Sequence, residues 1–136
     1  LFRGKVDVEE VNVMLSEEGH GDLRLLDNGA IGRPMPGIEI THCYHLVPKG
    51  VSKSRAVAAH AAARGYAKDE TIAVGDSAED LEVARSVGTF FVVANGPERD
   101  AGLKATLSQH PNAVVTEGRA GDGFYEAIVT SLVSGQ

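Results

Sequence analysis

The sequence has little of several features that mark particular protein classes. Only one of its 136 residues, Cys43, is a cysteine, so no internal disulfide can form and we expect a cytoplasmic protein. No apolar run approaches the roughly 18 residues of a membrane-spanning helix, and no basic segment followed by an apolar one marks a secretory signal. Lys and Arg number 13 against 19 Asp and Glu, a net charge of −6, which argues against nucleic-acid binding.

Motifs of several other chemistries are also missing. No G-x-x-x-x-G-K-[ST] or G-x-G-x-x-G loop follows a strand pattern, and no G-x-S-x-G elbow supplies a serine nucleophile. The segment His42-Cys-Tyr-His45 could indicate zinc. However, in a strand only Cys43 and His45 would share a face, and structural zinc usually takes four ligands. We therefore expect no zinc site there.

The first third of the sequence predicts a helix followed by antiparallel strands. Apolar residues recur at helical spacing from Asp7 to Glu18, and Gly19 stands where a glycine would end the helix. Asn28-Gly29 predicts a tight hairpin turn between two short extended runs. Residues 37–47 then predict a further strand.

The remainder alternates between strands and helices. Its pattern predicts strands at 71–75, 89–94 and 113–116 and helices at 52–64, 78–87, 98–107 and 123–133. Such alternation is typical of an α/β fold with a parallel sheet and helices on both faces. Three strands are few for such a sheet, so we expect a partial core whose other strands lie elsewhere.

Ligands of open α/β sheets bind beyond the carboxyl ends of the strands, which directs attention to the segment Ile72-Ala-Val-Gly-Asp-Ser-Ala-Glu-Asp80. Asp76 follows the predicted strand, and Asp80 lies one helical turn further on the same side. Two carboxylates and the Ser77 hydroxyl form the oxygen-rich donor set that Mg²⁺ prefers. The same residues are also typical of a helix cap, in which Ser77 and Asp80 satisfy backbone amides.

Two further residues are candidates for binding phosphate. Lys53 is at the start of a predicted helix, where the helix dipole disfavours a cation. Its side chain therefore either extends into solvent or interacts with negative charge nearby. Asn95 follows the second core strand and could hydrogen-bond a phosphate-bearing ligand or brace the first loop. The Asn95-Gly-Pro97 sequence is equally typical of a plain turn.

The order G-V-S-K, helix, strand-G-D-S-x-x-D, then strand-x-N-G resembles the C-terminal half of haloacid dehalogenase (HAD) superfamily proteins. The resemblance extends over about residues 37–128 and includes the late Gly121-Asp-Gly-Phe turn. It is strongest to the Cof-type and sugar-phosphate phosphatases with a large C2-type cap. It implies that residues 1–47 are the tail of an α+β cap and that residues 48–136 are half of a Rossmann-like core.

The resemblance also implies the chemistry of the site. Lys53 takes the place of the phosphate-orienting lysine, Asp76 that of the magnesium-binding acid, and Asp80 that of a second acid that binds the metal directly or through water. The implied activity is Mg²⁺-dependent hydrolysis of a small phosphorylated metabolite, a sugar or organic-acid phosphate, through an aspartyl-phosphate.

The sequence departs from that family in two places. Glu79 occupies the position of the asparagine in the usual G-D-x-x-N-D, and the nucleophile motif D-x-D-x-T is absent. We therefore expect a fragment or one chain of a split protein, inactive alone and completed by an N-terminal segment or a second chain. The alternatives are a non-catalytic α/β binding module or a phosphomutase of the same family.

Overall fold

The computed structural model describes residues 5–30, 36–38 and 40–134 of the chain. The chain divides into two compact units, of which the first ends at Val51 and the second begins at Ser52. This division falls within a few residues of the predicted boundary after residue 47. The assignment of the first unit to a cap stays a prediction.

The described residues of the first unit form one helix and a two-stranded antiparallel sheet. Helix α1 (Val8–Glu17) begins after Asp7, whose carboxylate accepts hydrogen bonds from two amides of the first turn. Strand β1 (Leu23–Ala30) pairs with β2 (His42–Pro48). The Asn12 side chain both donates to the carbonyl and accepts from the amide of Leu25, so α1 satisfies backbone groups of β1.

The predicted hairpin turn at Asn28-Gly29 is wrong, because β1 continues through both residues. The pairing of β1 with β2 shifts register between Asp27 and Ala30, which marks a bulge. Gly29 adopts a φ of +88°, and its amide donates to the Asp27 carboxylate at 2.8 Å. The preference of Asn-Gly for positive φ is therefore used to bend a strand rather than to reverse the chain.

The two histidines of β2 have different surroundings. The Nδ1 atom of His42 lies 2.9 Å from Oδ2 of Asp27, whereas His45 contacts Asn28 and the thiol of Cys43. Burial raises the pKa of Asp27, but the His42 and Gly29 hydrogen bonds outweigh that effect, so this pKa lies below its usual value. His42 and His45 thus make separate local contacts.

The second unit is a three-stranded parallel sheet with helices between the strands, which confirms the predicted α/β class. The central strand is β4 (Thr89–Val92), flanked by β3 (Ile72–Gly75) and β5 (Ala113–Val115). The helices are α2 (Lys53–Arg64), α3 (Ala78–Leu81), α4 (Asn95–Arg99), α5 (Ala101–Thr106) and α6 (Ala120–Ser134). No helix in the described ranges is long and apolar enough to span a membrane.

The core lies on one face of this sheet. Phe90 and Val92 of β4 point into a cluster in which Leu81, Val87 and Leu103 are also almost completely buried. The opposite face carries Phe91, which lines a groove together with Thr130 and Ser131 of α6. Alternate residues of β4 therefore bury against helices on opposite faces, as the continuous apolar pattern predicts.

Two of the predicted helices are shorter than expected. The helix predicted over 78–87 is α-helical only to Leu81 and continues as a 3₁₀ turn over Glu82–Ser86. The helix predicted over 98–107 is broken at Asp100, which is extended and accepts a hydrogen bond from the Gly102 amide. Asp prefers helix caps over helix interiors, so this residue ends α4 and starts α5.

We expect Leu103→Ala to lower the free energy of unfolding by about 2–5 kcal/mol, because it leaves a cavity in the core cluster. Leu103 has no exposed surface, whereas Leu132 is 68% exposed and provides a control with the same chemical change. Urea unfolding followed by circular dichroism measures both variants. Equal effects of Leu103→Ala and Leu132→Ala would contradict this description of the core.

Candidate active site

The carboxyl edge of the parallel sheet brings together most of the residues predicted to bind a ligand. β3 ends at Gly75 and is followed directly by Asp76, while β4 ends at Val92 and leads into α4, which begins at Asn95. The Val93 amide donates to the Gly75 carbonyl at 3.0 Å, which fixes the two strand ends side by side. The loops after β3 and β4 are therefore neighbours.

The Asp80 carboxylate is held by three donors from different parts of the second unit. Its Oδ1 accepts from Nζ of Lys53 at 2.7 Å, and its Oδ2 accepts from the Ser77 hydroxyl at 2.7 Å. The Asp76 amide lies 3.4 Å from the same Oδ2. Asp80 in turn donates its own amide to Ser77 Oγ. Ser77 caps α3 as one of the predictions had it, but in place of a reciprocal bond to the Ser77 amide the Asp80 carboxylate accepts from the Asp76 amide.

The contact between Asp80 and Lys53 shifts the pKa of both groups. Burial raises the pKa of Asp80, but the hydrogen bonds from Lys53 and Ser77 and the charge of Lys53 together outweigh it, so the pKa lies below its usual value. The hydrogen bond to Asp80 raises the pKa of Lys53, more than burial lowers it. Both groups are therefore charged at neutral pH, and Lys53 does not simply extend into solvent.

Glycine at position 75 is required by the close approach of Asp80. A Cβ at Gly75 would overlap the Asp80 Cβ and lie 2.9 Å from its Cγ. The backbone of β3 therefore passes directly under the carboxylate. Gly96 makes a second close approach, since a Cβ there would lie 2.8 Å from the Asp76 carbonyl oxygen.

Asp76 is the more accessible of the two aspartates, with 41% of its side chain exposed against 22% for Asp80. Its Oδ2 accepts from the Arg99 guanidinium at 3.0 Å. Sequence analysis missed Arg99. The available signal was its position, one helical turn after Asn95 in the helix that follows β4.

Asn95 faces the loop after β5 rather than the loop after β3. Its Oδ1 accepts from the Ala120 amide at 2.7 Å, and Ala120 has a positive φ of 46°. The hydrogen bond stabilises a backbone conformation that is unfavourable for alanine. The side-chain nitrogen of Asn95 makes no hydrogen bond with any described residue, so this is the part of Asn95 that could reach a ligand.

Glu79 adds a third carboxylate to this edge, 3.6 Å from Nζ of Lys53. With Asp76 and Asp80 it gives three negative charges against the two positive charges of Lys53 and Arg99. The edge thus carries one excess negative charge, which favours a cation over a free anion.

The donor set fits part of a magnesium site. Mg²⁺ is usually held by one or two carboxylates, with water and substrate phosphate completing its shell. Asp76 and Asp80 provide two such carboxylates, and Asp76 is accessible from solvent. No group of three or more His, Cys, Asp and Glu side chains in the described part of the chain could hold a metal. These two carboxylates could therefore supply only part of a metal's ligands, and the metal-binding role predicted for them stays a prediction.

Comparison with known families gives a direct match. The profile of the haloacid dehalogenase-like hydrolases aligns with residues 39–115, which is more than half of the chain. The chain belongs to the haloacid dehalogenase-like hydrolase family. The matched segment includes Lys53, Asp76, Asp80 and Asn95, all of the residues predicted to form the site.

Curated relatives of this family include phosphoglycolate phosphatases. The protein of Methanoculleus marisnigri is 32% identical over 127 residues, which cover 93% of this chain and 45% of the relative. That of Halobacterium salinarum is 32% identical over 91 residues, or 67% of this chain and 37% of the relative. The chain thus spans less than half the length of these relatives.

Solved structures support the HAD-like fold. A haloacid dehalogenase-like hydrolase protein from Bacillus subtilis matches with a TM-score of 0.56 and 16% identity, over 95% of this chain and 43% of that one. A protein of Thermoplasma acidophilum matches with a TM-score of 0.59 and 17% identity, over 93% of this chain and 48% of that one. The similarity extends across nearly the whole chain.

We expect Gly75→Ala to disrupt this HAD-like site, because the added methyl group forces Asp80 away from Lys53. Overpacking of this kind costs roughly 1–3 kcal/mol of the free energy of unfolding. The control is Gly121→Ala, at a helical position with no atom within 4 Å of the added group. Urea unfolding should show a loss for Gly75→Ala alone, and full stability of that variant would contradict the observed contact.

Lys53→Gln should raise the pKa of Asp80, because burial then acts without the opposing ammonium. The ion pair of Lys53 with Asp80 stabilises the folded protein at pH values above the pKa that Asp80 has in the unfolded chain, near 3.8. This stabilisation is lost as the pH falls through the lower pKa that Asp80 has in the folded protein. Carboxyl ¹³C NMR titration measures the shift directly. Lys104→Gln, which removes an exposed lysine elsewhere, should leave the pKa of Asp80 unchanged; an equal shift in both variants would disprove the direct effect.

Proposed function

We propose that the protein containing this chain is a Mg²⁺-dependent phosphohydrolase that acts on a small organic-acid phosphomonoester. The observation that carries the proposal is the joined cluster of Lys53, Asp80 and Asp76 at the carboxyl edge of a parallel sheet, in a chain of the HAD-like hydrolase family. A fixed ammonium next to a solvent-accessible carboxylate is the arrangement needed to hold a phosphate together with a divalent cation.

Different residues of the chain would hold the metal and orient the phosphate. Asp76 would hold the metal, since its carboxylate is the accessible one and its Arg99 partner is itself 66% exposed and can move away. Asp80 positions Lys53, whose remaining N–H groups would orient the phosphoryl oxygens. Bound Mg²⁺ would neutralise charge on the phosphoryl group. The amide nitrogen of Asn95 is a further donor for the same ligand.

The nucleophile must come from outside residues 1–136, because these contain no D-x-D-x-T. Of the described strands β3 pairs only with β4, so its other edge is open to a further strand. A parallel strand added there would end beside Asp76, at the same edge of the sheet. We propose that an aspartate-bearing strand, from another segment of the protein or from a second chain, pairs with β3 and completes the core.

The substrate class is inferred from the relatives and from the charge of the site. The curated relatives are named as phosphatases of phosphoglycolate, a small phosphorylated organic acid. A substrate with a phosphate and a carboxylate suits an edge that carries the cations Lys53 and Arg99 in addition to a metal. Arginine is suited to carboxylates because its planar guanidinium can donate two parallel hydrogen bonds.

The test is a phosphate-release assay on the full-length protein with Mg²⁺, comparing 2-phosphoglycolate with a sugar phosphate. We expect the organic-acid phosphate to be preferred, and chelation of Mg²⁺ to abolish release. Asp76→Asn should lower kcat/KM by about a hundredfold or more, as loss of a charge-stabilising group does elsewhere. Asp69→Asn, an exposed acid away from this edge, is the matched control.

Three results would contradict parts of this proposal. Full activity of Asp76→Asn would remove the metal assignment. A preference for the sugar phosphate would change the substrate class but leave the reaction. Transfer of the phosphate within the substrate, without release of inorganic phosphate, would identify a mutase.

A further inference from the structure

A second cluster of polar side chains lies at the opposite edge of the sheet, where the strands begin. It lines a cavity of about 310 Å³, which is at the lower end of the range for small-ligand sites. The polar residues of its lining are Lys68, Arg85, Gln109, His110 and Asn112. None of them belongs to the site at the carboxyl edge, and no carboxylate is among them.

His110 is the informative member of this cluster. Only 6% of it is exposed, yet its ring makes no hydrogen bond with any described residue. Among the described residues, the polar side-chain atoms sealed from solvent without a partner are Arg24 Nε and Thr41 Oγ1. The ring nitrogens of His110 therefore still reach solvent, and the cavity that this residue lines provides the route. A mostly buried imidazole that faces a cavity can hydrogen-bond there to water or to a ligand.

The two charged residues of the lining, Lys68 and Arg85, are both positive in a chain whose net charge is −6. The ammonium of Lys68 forms no ion pair with a described residue, and the Arg85 guanidinium pairs with Glu82 while 67% exposed. The wall itself is fixed, because Asn112 donates to the carbonyls of Ala84, Val87 and Gly88 at 2.8–3.1 Å. A cavity lined by a lysine, an arginine and a mostly buried histidine, next to the fixed side chain of Asn112, suits an anionic ligand.

We propose that this cavity binds a phosphate group, as inorganic phosphate or as the phosphate of a small ester. A tetrahedral dianion offers at least three acceptor oxygens, which matches the donors on Lys68, Arg85 and His110. A carboxylate offers fewer acceptors and half the charge. The site is separate from the proposed catalytic edge, because the two lie at opposite ends of the same strands.

The experiment titrates the protein with sodium phosphate at fixed pH and ionic strength and follows the His110 imidazole by NMR. The His110 signal is assigned with His110→Gln. We expect a saturable shift. A shift with inorganic phosphate alone assigns the site to free phosphate, and a shift with glycerol phosphate as well extends it to phosphomonoesters. The same shift with chloride or acetate, or no saturation, would overturn the proposal.

Substitutions of exposed residues test phosphate binding without disturbing the fold. Lys68→Gln and Arg85→Gln should each raise the apparent Kd about tenfold, as expected for one lost charge-assisted hydrogen bond. Lys104→Gln removes an exposed lysine elsewhere and should leave the Kd unchanged. In Lys53→Gln the His110 shift should persist, which separates this site from the proposed catalytic one. Loss of the shift in Lys53→Gln, or unchanged binding in both Lys68→Gln and Arg85→Gln, would disprove the second site.

Discussion

The hydrogen-bonded pair of Asp80 and Lys53 is the interaction on which the rest of the site depends. It connects the first turn of α2 to the first turn of α3, two helices that approach the same edge of the sheet from different points of the sequence. The backbone of Gly75 lies directly beneath the carboxylate, and only glycine leaves the necessary space. One contact therefore sets both the position of the ammonium and the path of the chain into Asp76.

The same contact explains why Asp76 and Asp80 are not equivalent. The oxygens of Asp80 accept from Lys53 and from the Ser77 hydroxyl, so this carboxylate is already well solvated by protein donors. Asp76 has one exposed ion pair with Arg99, and such pairs contribute little to stability. The cation proposed to bind there would displace that partner at small cost. The cap and the proposed metal site are thus compatible, since the side chain of Asp76, the aspartate proposed to hold the metal, takes no part in the cap.

Much of this arrangement could be predicted from sequence. Strand ends, the glycine at position 75 and the four-residue spacing of Asp76 and Asp80 are local features, and the α/β alternation fixes which loops share an edge. The approach of Lys53 to Asp80 follows from the same topology.

Prediction failed where one local backbone preference is compatible with two different structures. Positive φ at Gly29 made a bulge instead of a turn, and Asp100 capped a new helix where periodicity predicted one continuous helix.

The contacts that sequence analysis missed depend on side-chain direction, which periodicity does not encode. Arg99 reaches Asp76 from the last residue of α4, and Asn95, the first residue of the same helix, turns toward Ala120 and away from the β3 loop.

The two edges of the sheet also differ in charge, and this difference has a chemical consequence. At the carboxyl edge three carboxylates surround Lys53 and Arg99, so a phosphate arriving alone meets an excess of negative charge. A divalent cation would reverse that balance, so the phosphate binding proposed for this edge would depend on metal. At the amino edge Lys68, Arg85 and His110 line the cavity with no carboxylate among the lining residues. In the proposed second site a phosphate would need no metal. The two ends of the same strands would then bind phosphate in two forms, with a metal ion at the carboxyl edge and without one at the amino edge.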